Sequence, residues 1–267
     1  AHLISDVVYE RLLGEKGYFD TRVAYIAESG PRDRRARRLA IMDQDGQNHR
    51  FLTDGSAAAL TPRFHPNAQQ IAFMSYAQNQ PRVHLFSLES GRMEALGNFP
   101  GMTLSPRFSP DGRSVILSST RGSDANIYVV DLASRRERQL TSGGGLDVSP
   151  CFSPDGVLFI AEQNRILKFP AAEFFYEGPD VAAFEAVPKG ALIPASEESY
   201  NHTARVCRVG PDGKTYIALG QPYNVHPPAK QELYDRLGIA GLIRMDRDGK
   251  NREVYARGIR DRKSTRL

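Results

Sequence analysis

One eight-residue pattern returns three times at a constant step, and this periodicity restricts the fold of the chain more than any other feature. Leu60-Thr-Pro-Arg-Phe-His-Pro-Asn67, Leu104-Ser-Pro-Arg-Phe-Ser-Pro-Asp111 and Val148-Ser-Pro-Cys-Phe-Ser-Pro-Asp155 put Pro62, Pro106 and Pro150 44 residues apart in both intervals. A second landmark keeps the same step, because Asp43, Ser87 and Asp131 each follow an apolar pair: Ile-Met, Leu-Phe or Val-Val. Inside a repeat, short β-rich runs such as Ser114 to Ser118, Asn126 to Leu132 and Arg136 to Leu140 alternate with turn residues. With the short Phe-bearing strand before Pro110, that makes about four strands per repeat, and four-stranded units at this period are propeller blades. The predicted class is all-β: a six-bladed-type β-propeller with a short N-terminal helix. The recognisable repeats do not fill six blades, so the propeller is expected to be incomplete, with exposed edge strands and a tendency to self-associate.

The recurring Ser-Pro-Asp-Gly element explains itself as a turn: Pro presets φ, Asp bonds its own backbone, and Gly takes the positive φ that closes the hairpin. Asp111 and Asp155 are therefore expected to build turns rather than hold metal. The same applies to Asp43-Gln-Asp-Gly46 and Asp246-Arg-Asp-Gly249, which lack the spaced oxygens of a calcium loop. Ile4, Val7, Val8 and Leu12 recur at helical spacing, with Ser5 or Asp6 as a start cap and Gly14 as a stop. This helix is expected to pack on a neighbouring surface.

Composition excludes several classes. Charged residues at 25% and hydrophobic ones at 40% suit a globular chain rather than a disordered one. The net charge of +4 gathers in Arg32, Arg34, Arg35, Arg37 and Arg38 and in the tail Arg260, Arg262, Lys263 and Arg266. Neither run is interleaved with aromatics or set on a recognition helix, so the first is expected to be a solvated hairpin loop and no nucleic acid is expected as a partner. No stretch approaches the roughly 18 apolar residues of a membrane span, and the chain opens without the basic-then-apolar pattern of a signal peptide. If it is exported, its leader is expected to have been removed or to lie outside this sequence. Cys151 and Cys207 are too few for a disulfide framework and lack metal-ligand spacing; they are expected to be buried thiols on strands, not bonded to each other.

The lead-in Leu13-Gly-Glu-Lys-Gly-Tyr-Phe-Asp-Thr-Arg-Val-Ala-Tyr-Ile26, then Ile41-Met-Asp-Gln-Asp-Gly46 and the Pro-Arg-Phe-Ser-Pro-Asp-Gly repeats, resembles the TolB family of the Tol–Pal envelope system. The resemblance runs from Ala1 to about Gly156. It implies a connector helix over 1–20, propeller blades over 21–156, a preceding α/β domain in complete members, and a periplasmic, non-enzymatic protein. It also implies binding of the lipoprotein Pal, with other Tol proteins as partners, at the mouth of the propeller. The segments leading into the inner strands, Asp54 to Thr61, Phe99 to Ser105 and Gly143 to Ser149, would supply that face. Leu60, Met102, Leu104 and Leu146 are the candidate partner-facing residues, with packing between blades as the other reading.

After Gly156 the step breaks: the next Pro-Asp-Gly is Pro211-Asp-Gly213, and Gly156 runs directly into Val-Leu-Phe-Ile. The stretch Asn201 to Asn224, then Gly241-Leu-Ile-Arg-Met-Asp-Arg-Asp-Gly249 and Val254 to Arg260, resembles the glucose/sorbosone dehydrogenases. These are propellers that carry pyrroloquinoline quinone (PQQ) and calcium. That resemblance, over 157–260, implies His202 as the general base and Arg260 as a quinone contact. Asn201 and Gln221 stand where the glucose enzymes often have Asp, and Asp261 replaces an expected Asn, so His202 is expected to be a structural residue at a blade edge. Residues 261–267 resemble neither family and read as a non-native tail. The expected function is a Pal-binding, non-enzymatic propeller without a cofactor. The alternatives are a fragment of a quinone-dependent sugar or aldehyde dehydrogenase, or a chimera of two propeller genes with no integrated function.

Overall fold

The computed structural model describes residues 2–77, 79–142, 146–170, 183–199, 205–223 and 227–259. These form five antiparallel sheets, each a meander whose strands lie in chain order. They belong to two compact units that divide at Ala95/Leu96, apart from the turn Pro66–Ala68, which groups with the second.

The first unit holds the helix α1 (His2–Leu13) and two sheets: β1 (Arg22–Ser29), β2 (Ala36–Asp43) and β3 (Arg50–Phe51), then β4 (Ala59–Phe64), β5 (Gln70–Ser75), β6 (Arg82–Ser87) and β7 (Met93–Ala95). Leu39, Ala59, Ile71, Phe73 and Phe86 form its core, with Ala24, Ile26 and Phe64 against them. The Arg-rich run is the β1–β2 hairpin arm, where Arg35 and Arg37 both hold Glu28, at 2.8 and 2.9 Å. The helix starts at His2, so neither Ser5 nor Asp6 caps it. Asp6 instead accepts the amides of Phe19 and Asp20 at 2.6 and 3.0 Å, tying the helix to the chain that returns beneath it. Gly14, at φ 71°, ends the helix as expected. No residue of the helix is buried, and Leu3, Ile4 and Leu12 are exposed.

The second unit holds three four-stranded sheets. The third sheet is β8 (Thr103–Phe108), β9 (Ser114–Arg121), β10 (Asp124–Asp131) and β11 (Glu137–Gln139); the fourth is β12 (Cys151–Phe152), β13 (Leu158–Ala161), β14 (Ile166–Phe169) and β15 (Phe184–Val187). The fifth is β16 (Val206–Val209), β17 (Thr215–Leu219), β18 (Gly241–Met245) and β19 (Glu253–Ala256), with the short helix α2 (Gln231–Leu237) inserted before β18. Strand alternation sends Leu158 and Ile160 towards Ile116, Ile127 and Val129 of the third sheet. Phe159 and Ala161 go the other way, towards Cys207, Ile217 and Ile243 of the fifth. The run Val-Leu-Phe-Ile-Ala is continuous and apolar because both of its faces are covered.

The point where the sequence step breaks lies inside a hairpin. Cys151 pairs with Phe159 and Phe152 with Leu158 across the Gly156 turn. The shortening has a simple count. In the second and third sheets the turn closes from His65 to Gln70 and from Ser109 to Ser114; in the fourth and fifth it closes from Ser153 to Val157 and from Gly210 to Lys214, one residue shorter. The shorter form, Pro-Asp-Gly with glycine at positive φ, is a three-residue hairpin loop.

The aspartates of these turns work as the sequence suggests. Asp111 Oδ1 accepts the Arg113 amide at 3.0 Å and the Ser109 hydroxyl. The two Asp-x-Asp-Gly-x-Asn hairpins are built alike: Asn48 donates to Asp43 and Asn251 to Asp246, both at 2.6 Å, while Asp45 and Asp248 accept the amides of Gln47 and Lys250.

The cysteines are buried on strands as expected, but the expectation that they are unbonded is overturned. Cys151 and Cys207 are bonded to each other, with Cα atoms 5.8 Å apart, well inside the range a disulfide spans. Sequence spacing gave no hint because the pair meets through the stacking of the fourth and fifth sheets, across a separation of 56 residues.

Candidate functional site

In the second unit, the segment leading into the third sheet and residues 146–149 leading into the fourth form one rim; residues 143–145 lie outside the described residues. Thr103 pairs with Ser119, which sets Met102 beside Thr120; the Met102 amide donates to Thr120 Oγ1 and the Thr120 amide to the Met102 carbonyl, both at 3.0 Å. Thr120 pairs with Ala125, and Ala125 bridges in parallel to Leu146, whose neighbour Asp147 donates its amide to the Ala125 carbonyl at 2.8 Å. Met102, Thr120, Ala125 and Leu146 thus stand abreast. With strands about 4.8 Å apart, Met102 and Leu146 flank the row at roughly 14 Å.

Both of these side chains face solvent, Met102 at 41% and Leu146 at 47% exposure, on backbone held by ladder hydrogen bonds. Gly101 lets this happen: a β-carbon there would overlap the Thr120 carbonyl oxygen, so only glycine permits the close approach that sets Met102 in the row. Leu104 pairs with Ser118 and is half-buried. In the first unit, Leu60 pairs with Met74 and is also half-buried; the segment before it is fixed by Asp54, which accepts the Ser56 amide and hydroxyl at 2.9 and 2.7 Å. Of the four apolar candidates, the structure brings Met102 and Leu146 together on exposed rim and leaves Leu60 and Leu104 partly packed.

Beside Leu146, Asp147 is the most perturbed acid of the rim. Burial pushes its carboxyl up to about 6, opposed by a hydrogen bond from the Thr141 hydroxyl, raised further by Glu162 and offset by Arg165. The Thr141 oxygen accepts the Ile127 amide at 3.0 Å, which leaves its proton for the carboxylate. Arg165 is spent mainly elsewhere, clasping both oxygens of Glu162 at 2.6 and 2.7 Å and reaching Glu185 at 3.2 Å.

Sequence reasoning missed a repeated device in the inner strands. Thr61, Ser105 and Ser149, each directly before a repeat proline, have φ of 48°, 53° and 58°. In β4 and β8 the register slips by one residue there, between Leu60 and Arg63 and between Leu104 and Arg107, which is a β-bulge. The bulge accommodates a proline that cannot donate to the ladder. It also turns Arg63 and Arg107 back onto the carbonyls of Pro62 and Pro106, at 2.6 and 3.0 Å. The signal was present as the Ser/Thr-Pro pair of each repeat, but proline normally disfavours the helical region for its predecessor and points to extended backbone instead.

His202 and Arg260, with Asn201 and Asp261, lie outside the described residues, and Gln221 is buried. Among the described residues no group of three or more His, Cys, Asp or Glu is placed to hold a metal ion.

Residues 9–166, more than half of the chain, match the family model of the TolB β-propeller domain, PD40. Two curated relatives are each called "Tol-Pal system protein TolB". The one from Paramagnetospirillum magneticum is 60% identical over 103 residues and the one from Gluconobacter oxydans 64% identical over 103 residues. In both cases the match covers 39% of this chain and 23% of the relative, so the chain spans about a quarter of the length of the curated relatives it matches. Among solved structures, TolB from Acinetobacter baumannii superposes with a TM-score of 0.65 at 21% identity, covering 96% of this chain and 58% of that one; the likeness is one of fold.

Proposed function

This chain belongs to the TolB β-propeller family, and from that premise we propose that it is a non-enzymatic binding protein that docks Pal within the Tol–Pal system. The observation that carries the reading is the rim of the third sheet, where Met102 and Leu146 are exposed apolar side chains on backbone too constrained to fold them away. A rigid rim with separated apolar anchors suits recognition of a folded partner, because little side-chain or loop entropy is lost on docking. The Tol–Pal assignment of the two relatives supports Pal and other Tol proteins as the partners. The bonded cysteines support an oxidising compartment, which in a bacterial envelope is the periplasm. No described helix is long and apolar enough to cross a membrane. The reading needs no cofactor.

Calorimetric titration of the chain with soluble Pal tests it. The double variant Met102→Ala/Leu146→Ala is expected to bind at least tenfold more weakly while melting within about 2 °C of the parent, since neither side chain belongs to the buried core. A folded parent that fails to bind Pal at high micromolar concentration, or a double variant with parental affinity, would overturn the proposal.

A further inference from the structure

The disulfide sits where it controls more than its own two residues. Cys151 lies on β12, the first strand of the fourth sheet, and Cys207 on β16, the first strand of the fifth. Both are buried, at 2% and 0% exposure, within the apolar layer that joins these two sheets, beside Phe159, Ile217 and Ile243. The other ties between the sheets are of a different kind. Arg247 reaches Asp155 at 2.6 Å on the exposed surface, Gly249 packs under the Ala186 carbonyl, and Arg252 donates to the Leu192 carbonyl at 2.6 Å. The disulfide is the covalent one, closing a loop with a separation of 56 residues.

We infer that the Cys151–Cys207 bond is a redox lock: oxidised, it holds the fifth sheet on the fourth; reduced, it lets the fifth sheet lift away while the third and fourth stay packed. Closure of the lock is a thiol–disulfide exchange with an external disulfide oxidant. One cysteine thiolate attacks the oxidant's disulfide, forming a mixed disulfide and releasing one oxidant thiolate. The second cysteine thiolate then attacks the bonded cysteine sulfur and releases the other. The two cysteines lose two electrons and two protons, and the oxidant leaves as a dithiol. Because neither sulfur is exposed in the packed state, exchange must precede docking of the fifth sheet, and reduction must wait for the sheet to lift. The lock acts on the lifted state, whose chain entropy it removes. For a loop of this length the reduced chain should visit that state on the order of 10³-fold more often. The third and fourth sheets share a separate apolar layer, Ile116, Ile127 and Val129 against Leu158, Ile160 and Phe169, which the lock does not cross.

The test uses the full chain, isolated from an oxidising compartment, with hydrogen exchange read by mass spectrometry before and after reduction by dithiothreitol. Unreduced chain, unfolded in denaturant, is expected to take up no alkylating reagent, and two equivalents after reduction. In native buffer the amides of β16–β19 should exchange at least tenfold faster once reduced, while those of β9 and β10 keep their protection. The rate of reduction should level off as dithiothreitol is raised, at the rate at which the sheet lifts. The Cys151→Ser/Cys207→Ser variant should match the reduced parent, and if it fails to fold, the reduced parent alone gives the reading. Two alkylatable thiols in the unreduced chain, equal exchange of β16–β19 in both redox states, or a reduction rate that stays proportional to dithiothreitol would each overturn the inference. None of these readouts involves Pal, so failure here leaves the binding proposal standing.

Discussion

At the scale of single residues, Asp147 gives the sharpest handle on the rim. Its folded-state value of about 6 lies above that of an unfolded aspartate, near 4. The folded chain therefore holds a proton there that the unfolded chain has lost. Its contribution to stability is fully present below about pH 4, falls as pH rises to 6, and is gone above that. A carboxyl-detected NMR titration should place its midpoint near 6, and Asp147→Asn should flatten the slope of stability against pH in that window. An Asp147 midpoint at the ordinary carboxylate value would show that the rim is wetter than described. The turn aspartates were legible from sequence because their partners lie two to five residues away: Asp111 with Arg113, Asp43 with Asn48. Asp147, the bulge residues Thr61, Ser105 and Ser149, and the Cys151–Cys207 bond were not. The burial of Asp147 and the disulfide depend on what another strand or another sheet brings alongside, which no local pattern encodes, while the Ser/Thr-Pro pair that marks the bulges points by itself to extended backbone.

At the scale of elements, the strands and their turns were readable from the 44-residue step, since β9, β10 and β11 fall within a few residues of the expected runs. The break after Gly156 was readable too, though its structural form was not. The chain does not come apart there, but continues through a shorter hairpin of the kind used again at Gly210. Position across the fourth sheet leads to a contrast between two phenylalanines that share a row through Lys168. Phe159 on β13 is buried against the fifth sheet, whereas Phe184 on β15 faces solvent. Phe159→Ala should cost about 3–5 kcal/mol in urea unfolding, and Phe184→Ala no more than about 0.5 kcal/mol. Comparable losses at both sites would mean that the outer strand is covered after all. The helix α1 forms where the apolar spacing suggested; none of it is buried, and it meets the rest of its unit through Tyr9 against Tyr18 and Phe19 and through Asp6.

For the whole molecule, the division at Ala95/Leu96 has a consequence that the even spacing of the repeats concealed. Blades that look equivalent in sequence belong to two units with separate cores, one around Phe73 and one around Phe159. Phe73→Ala should loosen the amides of β4–β6 by at least tenfold in hydrogen exchange and leave those of β13, β14, β17 and β18 unchanged; equal loosening throughout would show a single cooperative block. The family could be read from sequence at this scale because the lead-in and the repeats occur together; Met102 and Leu146 were also named from the segments before the inner strands, whereas their standing in one row could not be, because that row exists only once strands from two repeats stand abreast.

The fourth sheet, filled on both faces, also bears on how such a chain can change over generations. Along 158–161 every side chain is seated in one neighbour or the other, so a lasting replacement there calls for a matching replacement across the layer. Collected sequences should show these positions varying in step with Ile116 and Val129 on one side and with Ile217 and Ile243 on the other. The exposed tip of the hairpin arm around Arg34, whose side chain meets only its neighbour Asp33 among the described ion pairs, should vary independently of any such match.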